Sequence, residues 1–321
     1  MDLILTATSH DLSISEIELA RRYAEASQAA NTIRAYRSDL NKFRAWCAER
    51  RFSSLPAADG AVALFLSSRA GISSVATLGR CLAAIRSAHR NAGLARPDGP
   101  AVAAVWAGIK RTHGRPPRGK AALTTAELVR ILPPAESPTF IRDRALLLLG
   151  FGAALRRSEL AALGAGRNWP SHIRFVEGGI EVHLARSKTD QNGTGAMVAV
   201  PRVPQSNHCP VEATRAWVET ANIQAGHLFR RVSRNGLVSS EGLGPQSIAR
   251  VVKRHAARVG LEVCDVSAHS LRAGFATSAA RNGAPAELLM THMRHASFDT
   301  TKRYIRAGDP FSTSAGRFCG L

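Results

Sequence analysis

The spacing of apolar residues changes along this chain, and that change limits the possible folds more than any other feature of the sequence. From about Ser13 to Lys110, apolar residues recur at the spacing of one face of an α-helix. Residues 173–176, 180–184 and 196–200 alternate apolar and polar positions instead, as β-strands do, and helical spacing returns after Pro210. The sequence therefore predicts an all-helical first part and a mixed second part.

A short segment rich in proline, glycine and basic residues separates the two parts. Residues 113–121 read HGRPPRGKA, a composition typical of an extended linker. We therefore predict a helical domain at residues 1–112, a basic linker at 113–122 and a second domain with a C-terminal tail at 123–321. Two domains also suit a chain of 321 residues.

Capping signals help to delimit the predicted helices. Asn31 is a favoured N-cap residue and predicts a helix that runs through Trp46. Thr124 and Glu127 have the spacing of a capping box and open the first helix of the second part. The other predicted helices cover residues 15–30, 59–70, 74–92, 100–112, 138–150, 155–163, 210–221, 245–259, 269–281, 285–294 and 298–306.

The chain is strongly basic, with a formal net charge of +19 that is spread over both parts. Such a charge predicts a polyanionic partner, and nucleic acid is the first candidate. Candidate DNA-binding residues are Arg34 and Arg37 in the first part and Arg115, Arg118 and Lys120 in the linker. A ribosome-associated or simply soluble basic protein is the alternative at this point.

The cysteines and the hydropathy indicate the compartment. None of the five cysteines lies in a C-x-x-C pair, which favours free thiols in a reducing compartment over a zinc site. Apolar runs such as Ala145–Leu149 are far shorter than the ~20 residues of a membrane span. The N-terminus has no basic region of the kind found in signal peptides. We therefore expect a cytoplasmic protein with no membrane partner.

Residues able to bind or attack a phosphate are concentrated near the end of the chain. His269 and Arg272 are three positions apart, a spacing that puts both side chains on one helix face. His295 follows, and Tyr304 comes nine residues after it.

Two cations that belong with this set lie upstream. Arg156 stands at a predicted helix start, with Glu159 three positions later. Lys188 lies in the predicted turn between the strands 180–184 and 196–200.

These motifs, in this order, resemble those of the tyrosine recombinase, or phage integrase, family. The resemblance extends from Leu123 to Tyr304, and the segment from His269 onward is most similar to Cre-like members. It implies a mainly α fold with a small β-sheet (α+β): an N-terminal helical core-binding, SAM-like domain and a C-terminal catalytic domain. It also implies a site-specific DNA recombinase that works through a 3′-phosphotyrosyl intermediate.

The resemblance further implies partners and location. The partner is double-stranded DNA, on which four copies of the chain assemble across two sites. No cofactor, metal ion or small-molecule substrate is expected. The protein would be bacterial or phage-encoded and associated with the nucleoid.

Carried over position by position, the resemblance implies that two arginines bind the scissile phosphate. Arg156 and Arg272 would bind its non-bridging oxygens, and Glu159 would orient its neighbours rather than react. The transition state spreads more negative charge over these oxygens, and fixed guanidinium groups stabilise that charge better than mobile water.

The resemblance also implies the roles that move protons and bonds. Tyr304 would attack phosphorus, His269 would assist proton transfer at this nucleophile, Lys188 would protonate the leaving 5′ oxygen, and His295 would hydrogen-bond the phosphate. A phenol has a pKa near ~10, so the tyrosine needs neighbouring groups that favour the phenolate at neutral pH.

Several positions depart from the family pattern. Ala154 stands where a glycine is usual, and Met293-Arg294 replaces the usual Leu-Gly before His295. Arg157 is an alternative to Arg156, although the Ser-Glu-Leu that follows favours Arg156. In the same way His292 competes with His295, which the spacing to the tyrosine favours.

Alternatives to a recombinase remain open on the sequence alone. One is a type IB topoisomerase-like enzyme that relaxes DNA, and another is a DNA-binding relative without catalysis. A third, a metal-dependent transposase or nuclease, needs clustered carboxylates. The tail, residues 310–321, is either a frayed end or a segment that docks on a neighbouring protomer.

Overall fold

The fold is taken from a computed structural model, which describes residues 18–19, 22–23, 30–115, 121–185 and 195–308, with the backbone alone at 30 and 306–308. The chain divides into two compact units, Met1–Pro117 and Arg118–Leu321. The tail and residues 116–120 of the predicted linker lie outside the described residues. The domain limits 1–112, 113–122 and 123–321 stay predictions.

The described part of the first unit is helical, as the apolar spacing predicts. Phe43, Trp46 and Phe65 form its aromatic centre, with ring centroids of Phe43 and Phe65 5.1 Å apart. Its helices are α1 (Ala30–Glu49), α2 (Asp59–Arg69), α3 (Val75–Asn91) and α4 (Pro100–His113).

The first of these helices is longer than predicted at both ends. Asn31 lies inside α1 instead of capping it, and its Oδ1 accepts a hydrogen bond from Arg34 at 3.0 Å. Ser74, in contrast, caps α3 by accepting a hydrogen bond from the backbone N–H of Thr77.

The second unit combines helices with a five-stranded sheet. Its strand order is β4-β3-β2-β1-β5, with β1 and β2 parallel and the other pairs antiparallel; β6 and β7 form a separate two-stranded sheet. The strands are β1 (Leu163–Ala165), β2 (Ser171–Val176), β3 (Gly179–Leu184), β4 (Ala196–Pro201), β5 (Gly226–His227), β6 (Arg230–Val232) and β7 (Val238–Gly242). The helices are α5 (Thr125–Ile131), α6 (Pro138–Gly152), α7 (Arg157–Ala162), α8 (Pro210–Thr220), α9 (Pro245–Arg258), α10 (His269–Arg281), α11 (Ala286–Met293) and α12 (Phe298–Gly308). The predicted fold class, mainly α with a small sheet, is confirmed.

Short strands account for most of the elements that the sequence pattern missed. The helix predicted over 155–163 is only the six-residue α7, and the chain enters β1 at Leu163. A strand of three residues is too short to show an alternating pattern. Its position depends on pairing with β2 and β5, which the local sequence does not encode.

Four of the five cysteines lie among the described residues. Cys47, Cys81 and Cys209 are buried free thiols, and Cys319 lies outside the described residues. In the portion of the chain that the structure describes, no helix combines the length and the apolar character needed to cross a bilayer.

A buried charge network stabilises the second unit. Asp143, on α6, is fully buried and accepts hydrogen bonds from Arg142 at 2.7 Å and from His255 at 2.8 Å, and it also pairs with Arg254. Burial alone would raise the pKa of Asp143, but the hydrogen bonds from His255 and Arg142 and the nearby positive charges hold it below its ordinary value. The carboxylate therefore stays ionised in the core.

Asp143→Ala is expected to lower the free energy of unfolding by about 3–5 kcal/mol, because it leaves the buried Arg142 charge without its carboxylate. Urea unfolding of the full chain measures the change, and exposed Asp265→Ala is the control, with a change within about 0.5 kcal/mol. Since the folded-state pKa of Asp143 is depressed, its contribution is present above the unfolded pKa of about 3.9 and is lost as pH falls through the folded value. A difference between wild type and variant that does not shrink in acid contradicts this account.

Candidate active site

A tight turn after α6 positions Arg156, the first residue of the candidate active site along the chain. The backbone N–H of Leu155 donates to the Gly150 carbonyl at 3.0 Å, and Ala154 takes a left-handed conformation with φ of 47°. Glycine adopts this conformation without steric strain, which explains why the family has glycine where this chain has Ala154. The turn ends at Arg156, the N-cap of α7.

The carboxylate of Glu159 holds Arg156 in place. It accepts the backbone N–H of Arg156 at 2.8 Å and Nη1 of the same residue at 2.7 Å. Burial alone would raise the pKa of Glu159, but Arg294 and Arg156 hold it below its ordinary value. Arg157 is exposed, so Arg156 rather than Arg157 is tied to the buried carboxylate.

Arg272 lies almost completely buried on α10, with 1% of its surface exposed. Its Nη1 donates to the Ala154 carbonyl at 2.6 Å, and its Nη2 donates to the Met293 carbonyl. These bonds use two of the five guanidinium donors and leave others for an anionic oxygen. Arg272 thus connects the turn before Arg156 with the end of α11.

Burial and the neighbouring guanidinium groups lower the pKa of Arg272 to about 10. Arg156 and Arg294 add to the lowering, whereas Glu159 and Tyr304 oppose it. Arg272 therefore keeps its charge at neutral pH. Tyr304 packs against the small cluster containing Ala154 and Met293, whose carbonyls accept the hydrogen bonds of Arg272.

Tyr304 and His295 lie side by side at the edge of this cluster. Tyr304, on α12, is half-buried, and its ring is nearly parallel to that of His295, with centroids 5.8 Å apart. Burial first, and then Arg272, Arg156, Arg294 and Arg303, lower the pKa of His295 to about 4. His295 is therefore neutral near pH 7, with one ring nitrogen able to donate and the other able to accept.

The competing histidine has a different environment. His292 stacks on Phe275, with ring centroids 4.4 Å apart, and its Nε2 lies 2.9 Å from the Gly152 carbonyl. Its ring therefore packs beneath the turn, while His295 lies next to the tyrosine.

The two other predicted catalytic residues are not part of this buried cluster as described. His269 is exposed on the first turn of α10, one turn before Arg272. Lys188 lies outside the described residues, although β3 and β4, which flank it, form the predicted hairpin. Among the residues that the structure describes, no group of three or more His, Cys, Asp or Glu side chains is arranged to hold a metal ion.

Of the five predicted DNA-binding residues, two lie on one face of α1. Arg34 and Arg37 are exposed and line a shallow groove with Lys42 and Asn41. Arg115 is exposed at the end of the described part of the first unit. Arg118 and Lys120 lie outside the described residues.

Sequence reasoning missed Thr301, which lies one helical turn before Tyr304. Its side chain is fully buried, and its Oγ1 is 2.9 Å from Nδ1 of His295. When the threonine hydroxyl donates to Nδ1, the proton of the neutral ring resides on Nε2. Thr301 can therefore select the tautomer of His295.

Thr301→Val is expected to slow DNA cleavage by about five- to tenfold, because it removes a hydrogen bond of about 1 kcal/mol that orients the His295 ring. Single-turnover cleavage measures the rate, and nitrogen NMR of labelled histidine reports the tautomer. Thr300→Val, at the adjacent helix position, is the control. An unchanged rate together with an unchanged tautomer contradicts the role of Thr301.

Comparison with known proteins identifies the family. Residues 121–309 match the phage integrase family, and residues 20–93 match the phage integrase N-terminal SAM-like domain. The chain is 34% identical over 302 residues to an integrase/recombinase xerD homolog of Selenomonas ruminantium, covering 92% of this chain and 87% of the relative. The chain belongs to the phage integrase family. It is a tyrosine site-specific recombinase, as the motif order predicts.

Two further similarities agree with this assignment of the recombinase. The tyrosine recombinase XerD of Xanthomonas axonopodis pv. citri (strain 306) is 30% identical over 311 residues, covering 92% of each chain. A crystal structure of lambda integrase bound to DNA has the same fold, with a TM-score of 0.61, 16% identity and coverage of 91% of this chain and 95% of that one.

Proposed function

We propose that this recombinase cleaves and rejoins double-stranded DNA with Tyr304 as its nucleophile. The observation that carries the proposal is that Tyr304 packs against the small cluster containing Ala154 and Met293, the two residues whose carbonyls accept the hydrogen bonds of Arg272. The named relatives are recombinases, which favours strand exchange over the DNA-relaxing alternative.

In the proposed cleavage step the Tyr304 oxygen forms a bond to phosphorus as the bond from phosphorus to the 5′ oxygen breaks. Arg156 and Arg272 stabilise the charge that develops on the non-bridging oxygens. His269 assists removal of the phenolic proton. The leaving oxygen takes a proton from Lys188 and becomes a 5′ hydroxyl.

Rejoining reverses these steps on a different strand. A 5′ hydroxyl attacks the phosphotyrosine, and the phenol leaves with its electron pair and regains a proton. One P–O ester bond forms and one breaks in each step, so the reaction needs no nucleotide hydrolysis and no oxidant or reductant. We propose no cofactor.

His295 and Glu159 support the phosphate site in this proposal. With its proton on Nε2, neutral His295 donates to a phosphate oxygen while Nδ1 accepts from Thr301. Glu159 keeps Arg156 in one orientation through one hydrogen bond from the guanidinium and one from the backbone N–H. Its own negative charge stays paired, which prevents it from repelling the substrate.

The exposed cations of the first unit provide the proposed contact with the DNA backbone. Arg34, Arg37 and Lys42 lie along one side of α1, where their charges can neutralise phosphates. The solved structure of lambda integrase contains DNA, which supports DNA as the partner. We also propose that four copies of the chain assemble on two DNA sites.

Trapping on a nicked suicide DNA tests the function. The DNA carries sequence from the flanks of the gene, and the nick lets the short strand diffuse away after cleavage. A protein–DNA adduct that survives denaturation, also forms in excess chelator and maps by mass spectrometry to the peptide containing Tyr304 is the expected result. An adduct on any other residue, or no adduct on DNA that the protein binds specifically, contradicts the proposal.

A further inference from the structure

Arg294 occupies a backbone position that disfavours side chains. It ends α11 with φ of 53° and ψ of 47°, the left-handed conformation in which a non-glycine residue is strained by about 1 kcal/mol or more. The family pattern has glycine here, which fits this backbone conformation without strain. This chain instead has a long cationic side chain at the position. The contacts of that side chain show what offsets the strain.

The Arg294 side chain folds back into the site and is 8% exposed. Its Nη1 donates to the carbonyls of Ala153 at 3.3 Å and His292 at 3.0 Å. Its Nη2 donates to the Ala154 carbonyl at 3.0 Å and to Glu159 Oε2 at 3.1 Å. These acceptors belong to the turn before α7, to α7 itself and to the end of α11.

Two of these acceptors are shared with the phosphate-binding arginines. The Ala154 carbonyl also accepts from Arg272 Nη1 at 2.6 Å. Glu159 also accepts from Arg156 through its other carboxylate oxygen at 2.7 Å. Arg294 is therefore the direct link between the group that holds Arg156 and the group that holds Arg272.

Electrostatics gives the link a second consequence. Glu159 pairs with both Arg156 and Arg294, and the positive charge of Arg294 acts together with the hydrogen bonds and charge of Arg156 to hold the pKa of this buried carboxyl below its ordinary value. Without Arg294, Glu159 would attract Arg156 alone. The Arg156 guanidinium, which already lies 2.7 Å from Glu159 Oε1, would then have to neutralise the carboxylate without Arg294, leaving less of its positive charge for an incoming phosphate.

We propose that Arg294 is a positioning residue of the recombination reaction. Through Glu159 and the Ala154 carbonyl, it holds the guanidinium groups of Arg156 and Arg272 in the relative position that binds the scissile phosphate. This inference rests on the proposed function of that site. Arg294 does not itself react in the step.

Arg294→Gly is the principal test, because glycine relieves the backbone strain while removing the guanidinium. We expect single-turnover cleavage at saturating DNA to slow by about 10- to 100-fold, since small displacements at a reacting centre have effects of this size. DNA affinity should stay within about threefold, because the side chain is buried. Arg294→Lys keeps the charge without the fork and should recover part of the rate. It also keeps the test decisive if the glycine variant folds poorly.

The pKa of His295, the histidine beside Tyr304, provides a second readout. A purely structural role of Arg294 does not predict that this pKa rises. His295 stacks beside Tyr304, and the positive charges of four arginines, Arg156, Arg272, Arg294 and Arg303, lower its pKa. Loss of one cation from this set should raise its pKa from about 4, which proton NMR of the imidazole measures. An unchanged His295 titration in a folded Arg294→Gly variant contradicts the proposed position of the charge.

Two comparisons separate positioning from loss of charge. Arg303→Gln removes one positive charge near His295 without touching Glu159 or the Ala154 carbonyl, and it should retain the cleavage rate within about threefold. An equal loss in both variants overturns the inference.

Glu159→Gln combined with Arg294→Gly should lose no more rate than the more affected single variant, because both changes break one link. Additive losses overturn it as well.

Failure of this inference can be told apart from failure of the proposed function. If the wild type forms no adduct at Tyr304, the function itself is wrong. If the wild type forms the adduct and Arg294→Gly cleaves at the wild-type rate, only the positioning role is wrong.

Discussion

Tyr304→Phe is expected to form no covalent adduct with suicide DNA, at least 10⁴-fold below the wild type, since removal of a nucleophile leaves only the contribution of binding and charge stabilisation. The substitution removes one oxygen from a half-buried ring that packs beside His295, so the fold and the DNA affinity should persist. Denaturing electrophoresis of the labelled DNA measures the adduct. Calorimetry and a binding assay establish that the variant is folded and bound.

Tyr36→Phe is the matched control. The chain has three tyrosines, and Tyr36 lies on α1 in the other unit, so its adduct yield should equal that of the wild type. An adduct that persists in the Tyr304 variant removes the central claim about the nucleophile.

Mixing variants tests whether one protomer supplies the complete site. Tyr304 packs against Ala154 and Met293, which bind Arg272 in the same unit, and this arrangement predicts assembly in cis. A mixture of Tyr304→Phe with an Arg272 variant should therefore cleave no better than either protein alone. Recovery of cleavage in the mixture would mean that the tyrosine of one protomer acts in the site of another.

Arg272→Lys is expected to slow cleavage by about 100- to 1,000-fold, because a preorganised donor at a developing charge contributes an effect of this size. Lysine keeps the charge but not the planar fork, so it cannot hold the Ala154 and Met293 carbonyls and present parallel donors to a phosphate. Single-turnover kinetics at saturating DNA measure the rate.

Stability must be measured alongside, because the same side chain joins two segments of the core. We expect the melting temperature of Arg272→Lys to fall by a few degrees, since two buried carbonyls lose part of their hydrogen bonding. Arg231→Lys, at an exposed ion pair with Glu241, is the control and should change neither quantity. A near-normal rate in a folded Arg272→Lys variant contradicts the proposed role of the guanidinium fork.

Local patterns in the sequence predict much of the architecture. The helices of the first unit, the capping box at Thr124 and Glu127 and the β3–β4 hairpin follow from apolar spacing and capping chemistry, which act within a few residues. The motif order also predicts the family, because Arg156, His269, Arg272, His295 and Tyr304 occur at characteristic spacings. In these cases the interactions that decide the structure join residues that are close together in the sequence.

Other features depend on packing between distant segments. The strand β1 forms only because β2 and β5 are available to pair with it, and α7 is shortened as a result. Thr301 belongs to no recognised motif. Its hydrogen bond with His295 requires the chain to turn between α11 and α12.

The amino-acid sequence alone shows the order and spacing of the reactive residues, and these are enough to predict the family. Only the tertiary structure decided that Arg294, an apparent departure from the pattern, links Glu159 to the Ala154 carbonyl that also binds Arg272. The physical reason is that these contacts join residues more than a hundred positions apart. They exist only when the packed core brings the turn after α6, the buried side of α10 and the end of α11 to one place.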